Sequence, residues 1–128
     1  MTKRKLAAIG LISVIPSCRS DEIQCPMWIL PAVAVEIRDA HNGLAIAAEA
    51  RGVVRDGAYV DSLRPYEQLG HDLSGLYSRA AADERPGTYS VEVTHAGYRT
   101  WTTSGVTAKP GRCNVQTKRV HANMEPAG

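Results

Sequence analysis

The chain has 128 residues, 44% hydrophobic and 22% charged, with no phenylalanine and only 5% aromatic residues. That length fits one domain, whose interior must be built from Val, Ile, Leu and Ala, with Trp28, Trp101 and the tyrosines as its bulkiest candidates. The net charge of +2 comes with no basic stripe and no basic run interleaved with aromatics, which argues against nucleic acid as a partner.

Residues 1–18 read as an export address. Lys3-Arg4-Lys5 is a basic n-region, Leu6 to Ile15 is an apolar h-region, and Ser17 is a small residue directly before Cys18. The run is too short for a permanent membrane-spanning helix. It is apolar on all sides and follows the basic cluster directly, which favours a signal segment over a buried amphipathic helix. Ile15-Pro-Ser-Cys18 resembles a bacterial lipobox, in which the cysteine becomes the lipid-bearing N-terminus. Pro16 departs from that pattern, and ordinary signal cleavage is the other outcome. Once the segment leaves, twelve basic residues face thirteen acidic ones and the net charge becomes −1. With Cys18 assigned to the lipid, Cys25 and Cys113 remain as a pair that would bridge in an oxidising compartment. Two free thiols are the alternative, and neither cysteine has the closely spaced second ligand of a metal site.

Residues 19–31 look like a tether. Pro26 and Pro31 bracket Met27-Trp28-Ile29-Leu30 and discourage helix, leaving an apolar knot placed to pack against the domain. Ala32 to Asp39 is the first strand, with Val33, Val35 and Ile37 on one face. His41-Asn42-Gly43 is a hairpin turn, and Leu44 to Val54 is read as strand although its alanines favour helix by propensity. Gly52 to Val60 forms a hairpin with Asp56-Gly57 at its tip. From Asp61 to Asp83 the pattern weakens, with a short strand at Leu73 to Tyr77 and a helical turn or loop at Ala80 to Glu84. Thr88, Ser90, Glu92 and Thr94 then alternate with Tyr89, Val91 and Val93, bounded by the turns Pro86-Gly87 and Ala96-Gly97. A second strand from Tyr98 completes a β-hairpin, and Ser104 to Ala108 is a short strand or bulge. Lys109 to Arg112 is a turn, Cys113 to Met124 is the last strand, and residues 125–128 are a frayed tail. About seven short strands at even spacing with no long helix predict an all-β, two-sheet sandwich over residues 32–124.

Arg85-Pro-Gly-Thr-Tyr-Ser-Val-Glu-Val-Thr-His-Ala-Gly-Tyr98, preceded by a strand ending in an Asn-Gly turn, resembles the carboxypeptidase regulatory-like domain. The resemblance covers residues 32–124 and implies a seven-stranded sandwich of prealbumin-like (transthyretin-like) or immunoglobulin-like type. Cysteines before the first strand and in the last one also resemble small bacterial lipoproteins carrying this module. Such modules serve as accessory, substrate-contacting or assembly domains without activity of their own, so the resemblance speaks to fold more than function.

Catalytic signals are weak. His41, His71, His95 and His121 lack metal-ligand spacing, no Gly-x-Ser-x-Gly elbow occurs, and the predicted bridge removes the thiol a Cys–His pair would need. Asp56, Asp61, Asp72, Asp83 and Glu84 sit mostly in turns and loops, where carboxylates cap backbone groups. The transthyretin-like hydrolases of a purine-breakdown intermediate end in Tyr-Arg-Gly-Ser, whereas this chain ends Met-Glu-Pro-Ala-Gly128. Tyr59, Tyr66, Tyr77, Tyr98 and Trp101 are the candidate binding surface, to be weighed against ordinary packing. The expectation is a non-enzymatic, exported, lipid-anchored module without metal or cofactor, contacting a protein or saccharide at the cell envelope. The alternatives are a small-ligand or carbohydrate-binding domain using the loops around Tyr59 to Tyr77 and, less favoured, a hydrolase; a bare sheet edge could also pair with a partner strand.

Overall fold

The structure, a computed structural model, describes residues 9–14, 24–66 and 76–128. The basic cluster, Cys18 and the end of the export segment, His71, Asp72 and most of the strand expected at 73–77 lie outside the described residues. Residues 9–14 carry neither helix nor strand and are exposed.

Among the described residues nine strands form two sheets. In the four-stranded sheet, β4 (Arg64–Pro65), β5 (Ser78–Asp83), β1 (Pro31–Asp39) and β9 (Lys118–Met124) lie side by side in that order. The five-stranded sheet runs β3 (Tyr59–Ser62), β2 (Arg51–Asp56), β6 (Gly87–Thr94), β7 (Trp101–Pro110) and β8 (Val115–Gln116). The all-β, two-sheet architecture follows from the alternating strands, but the count is nine instead of seven, and β4 and β8 are only two residues long. Pairing is antiparallel except between the first and last strands, where Val33 to Asp39 run parallel to Lys118 to Met124.

Period two decides which side chains go inside. Along β6, Tyr89, Val91 and Val93 are buried while Thr88, Ser90, Glu92 and Thr94 are exposed. They meet Val33, Val35 and Ile37 of β1, with Ala81, Ala122 and Met124 completing that side and Val54, Val106 and Ala108 the other. The largest fully buried side chains are Tyr89, Ile37 and Met124. Tyr89 anchors the start of β6 by donating its hydroxyl to the Arg85 carbonyl, the tyrosine-corner arrangement of β-sandwich domains.

Several local expectations change. Leu44 to Val54 is not one strand: Ala45 makes a single bridge to Arg38, Ala47–Glu49 is a 3-10 turn, and β2 begins at Arg51. Ala47 and Ala50 are fully buried, so two methyl groups dock this turn on the core. Ala80 to Asp83 is strand, not helical turn or loop, because pairing with β1 along the stretch, and with β4 at Ala80, outweighs the helix preference of alanine. The second strand of the central hairpin starts at Trp101, and Tyr98 instead bridges Pro126. Ser104-Gly105 is a bulge within a continuous β7: the pairing steps from Tyr89↔Val106 to Val91↔Thr103, and Gly105 has φ +69°. The last strand breaks at Thr117, whose hydroxyl donates to the Pro31 carbonyl at 2.7 Å as the chain leaves one sheet for the other. Cys113 sits in the bend before β8. The tail does not fray, since Arg99 N–H donates to the Glu125 carbonyl and Ala127 N–H to that of Gly97. Of the apolar knot only Leu30 packs on the core, whereas Met27, Trp28 and Ile29 are 102%, 52% and 68% exposed.

Cys25 and Cys113 are bridged across 88 residues of sequence, with Cα atoms 5.1 Å apart. Glu84 completes this tie. It has a left-handed backbone, φ +50°, and its N–H donates to the Leu30 carbonyl at 2.9 Å. Its Oε1 accepts from Leu30 N–H at 2.6 Å and Asn114 Nδ2 at 2.7 Å, and its Oε2 from Val115 N–H at 3.0 Å. The entering segment, the β5–β6 connection and the β7–β8 turn thereby converge at one end of the sandwich.

Closing so long a loop stabilises the native state by about 4 kcal/mol in the chain-entropy model. The double variant Cys25→Ser/Cys113→Ser should therefore lose about 2–4 kcal/mol, read as a lower urea midpoint with an unchanged far-UV circular dichroism spectrum. Coincident midpoints would show that the bridge adds nothing to stability.

Candidate functional site

The five aromatic residues singled out from the sequence do not form one surface. Tyr59 lies at the end of the sandwich where β6 begins, and Tyr98 and Trp101 follow its far end. Tyr66 and Tyr77 flank the four-stranded sheet: Tyr66 N–H donates to the Ser78 carbonyl, and Ile37 N–H to that of Tyr77.

The Tyr59 end is held by Arg85. Its guanidinium lies 3.9 Å from the centre of the Tyr59 ring, and its Nη1 donates to Asp56 Oδ2 at 2.9 Å and to the Tyr89 hydroxyl at 3.0 Å. The Tyr59 and Tyr89 rings meet edge to face with centres 6.4 Å apart. Gly87 makes the cluster possible, because a Cβ there would come within 2.5 Å of Asp56 Oδ2. Burial, and next the Asp61 charge, push the Tyr59 phenol up, while the hydrogen bonds to Tyr89 and Asp56 push the Arg85 guanidinium up. Both shifts favour the protonated forms of these groups.

At the opposite end the Tyr98 hydroxyl donates to Asp39 Oδ2 at 2.6 Å, and Asp39 Oδ1 accepts from His41 N–H at 2.7 Å and Asn42 N–H at 3.1 Å. Asp39 is the one charged side chain classed as buried among the described residues. The Tyr98 hydroxyl, then the Asn42 and His41 amides, hold the Asp39 carboxyl below the ordinary range, and the same contact raises Tyr98. His95 meets the Tyr98 ring edge on at 4.8 Å, His41 Nε2 lies 3.0 Å from Glu125 Oε2, and Trp101 is half-buried against the core.

The outer face of the four-stranded sheet is the most varied surface. Arg119 from β9 approaches the Tyr66 ring to 5.8 Å, although the two residues come from opposite edges of the sheet. Two alanines between them make this reach possible. Ala34 pairs with both Ala80 and Arg119, and each alanine is only 2% exposed although it lies on the outward face. Beside this row Glu36 pairs with Arg38 and, at 3.2 Å, with His121, while Arg38 lies 5.5 Å from the Tyr77 ring centre. These groups can hydrogen-bond and stack. Composition pointed to Tyr66 and Tyr77, but their arginine partners come from strands distant in sequence.

Among the described residues no group of three or more His, Cys, Asp or Glu side chains is placed to hold a metal. Among the described residues, one surface depression lies among Arg55, Ser90, Glu92 and Thr102 and another among Arg51, Ser62, Arg79 and Thr94. No family model matches the chain, and no curated protein matches its sequence.

Asp39 and Glu84 predict the acid response. The Asn114 amide, then the Leu30 and Val115 N–H groups, lower the Glu84 carboxyl as Tyr98 lowers that of Asp39. A folded pKa below the unfolded one makes the unfolded chain take up protons first, so this stabilisation is complete above about pH 4–5 and is lost as pH falls through the folded values. The urea midpoint should drop between about pH 5 and pH 3. Glu84→Gln and Asp39→Asn should start from a lower midpoint at neutral pH and drop less; equal drops would remove these two carboxylates from the acid transition.

Proposed function

We propose that the chain is a non-catalytic, exported β-sandwich module, held at a bacterial membrane by a lipid on Cys18 and acting through contacts with a protein or saccharide of the cell envelope. The Cys25–Cys113 bridge carries this reading, because such bridges form and persist in oxidising compartments. No helix among the described residues is long and apolar enough to cross a membrane, which is compatible with a lipid as the anchor. The non-catalytic part is supported by the closed state of the ionisable clusters: Arg85, Asp56, Asp39 and Tyr98 are engaged with one another or with backbone.

Within the all-β class, we read the module as carboxypeptidase regulatory-like, of the prealbumin-like or immunoglobulin-like type. Supporting this, the Gly87-Thr-Tyr-Ser-Val91 strand lies in the middle of the five-stranded sheet, with Gly97-Tyr98 in the connection after it. The second reading, a carbohydrate- or small-ligand-binding domain, is favoured by one observation: Tyr66 and Tyr77 both stand beside the four-stranded sheet with arginines near their rings.

Mass spectrometry of the chain recovered from a bacterial envelope tests the anchor. A diacylglyceryl group on an N-terminal Cys18 is expected, with Cys18→Ala moving the protein from the membrane to the soluble fraction. An unmodified N-terminus after another cleavage point would leave a soluble exported protein. An intact Met1 with free thiols at Cys25 and Cys113 would overturn export itself.

A further inference from the structure

We propose that Met27, Trp28 and Ile29 form a lipid-contacting patch that seats one end of the sandwich on the membrane surface. The proposal rests on the export and anchoring argued above and adds the orientation of the body.

Three consecutive large apolar side chains face solvent, Met27 fully and Ile29 and Trp28 by more than half. Their exposure is not that of a loose end. Cys25 is bridged to the body, the Trp28 carbonyl accepts from Asn114 Nδ2 at 2.9 Å, and the Leu30 amide and carbonyl are both bonded to Glu84. The segment is thus fixed on both sides of the patch. Leu30 turns inward onto the core while its three predecessors stay outside. A contiguous apolar patch held outward in this way is an interaction surface.

Chemistry and distance select lipid as the occupant. Tryptophan suits the boundary between headgroups and acyl chains, since its ring is apolar and its N–H polar, and methionine and isoleucine suit the layer beneath. The end of β7 supplies Lys109 and the β7–β8 turn Arg112, both exposed and in no ion pair among the described residues. Among the described acids at this end, Asp83 is paired with Arg64 and Asp56 with Arg85, while Glu84 accepts from neutral amides. Lys109 and Arg112 thereby offer exposed positive charge to anionic headgroups. Cys18 precedes Cys25 by seven residues, a tether of at most about 25 Å when fully extended. A lipid on Cys18 would keep the patch at high effective concentration beside the bilayer, so that even a weak contact is occupied.

The test uses residues 19–128, which contain both sheets, the whole core and the bridge. The oxidised, unlipidated protein is mixed with vesicles of phosphatidylcholine, with and without phosphatidylglycerol. Tryptophan emission should shift to the blue with vesicles, and Trp28→Phe should abolish the shift, assigning it to Trp28 and not Trp101. Met27→Ser/Ile29→Ser should lower the partition coefficient roughly tenfold or more, with an unchanged thermal midpoint. Lys109→Gln/Arg112→Gln should weaken binding only where phosphatidylglycerol is present. Wild-type protein that neither shifts nor sediments with vesicles, or a serine variant that binds as well as wild type, would overturn the patch. The anchor is judged separately: vesicle binding by residues 19–128 together with an unlipidated Cys18 keeps the patch and loses the anchor. A lipidated Cys18 on a protein whose Trp28 stays fully open to acrylamide in vesicles keeps the anchor and loses the patch.

Discussion

The tie of Cys25, Glu84 and Cys113 is the constraint on which the rest of the molecule depends. A core without phenylalanine, in which Tyr89, Ile37 and Met124 are the largest fully buried side chains, removes little apolar area per residue. A domain of this size has correspondingly little stability to spare. Joining the segment before β1 to the bend before β8 lowers the entropy of the unfolded chain, where a core of small side chains cannot help. Glu84 extends the same tie with hydrogen bonds, accepting a left-handed backbone so that one carboxylate reaches three partners.

The two ends of the sandwich are consolidated by different chemistry. One end combines the covalent bridge with the Arg85 stack on Tyr59, and the other relies on a buried carboxylate receiving a phenol and two amides. In both places the groups that might attract a mechanistic interpretation are occupied internally. Facing outward are, among other described surfaces, the polar and aromatic face of the four-stranded sheet and the apolar segment at the bridged end. A body seated by that segment would hold the loops around Asp39 and Tyr98 away from the bilayer.

Much of this was legible in the sequence wherever a rule acts over a few residues. The alternation from Thr88 to Thr94 identified β6 and its buried face, Asp56-Gly57 marked the β2–β3 reversal, and the cysteine count identified the bridge. Three features were not legible, each because the deciding partner is distant. Ala80-Ala81-Ala82 has the composition of a helix and becomes strand only because β1 and β4 flank it. Leu44 to Val54 has too little local preference to show where strand gives way to a 3-10 turn. Among the site residues, Tyr66 and Tyr77 could be named as candidate binding aromatics, but the arrival of Arg119 and Arg38 beside them depends on sheet order.

The parallel contact of β1 with β9 bears on the order in which the chain can acquire its shape. If it is threaded through a translocation channel from its N-terminus, the flank of β1 that β9 covers stays without its neighbour until nearly the whole polypeptide has emerged. Premature compaction behind the channel is then discouraged by topology alone. The same delay leaves that edge of β1 unpaired until Lys118 to Met124 follow, and a chain cut short before Lys118 would never cover it.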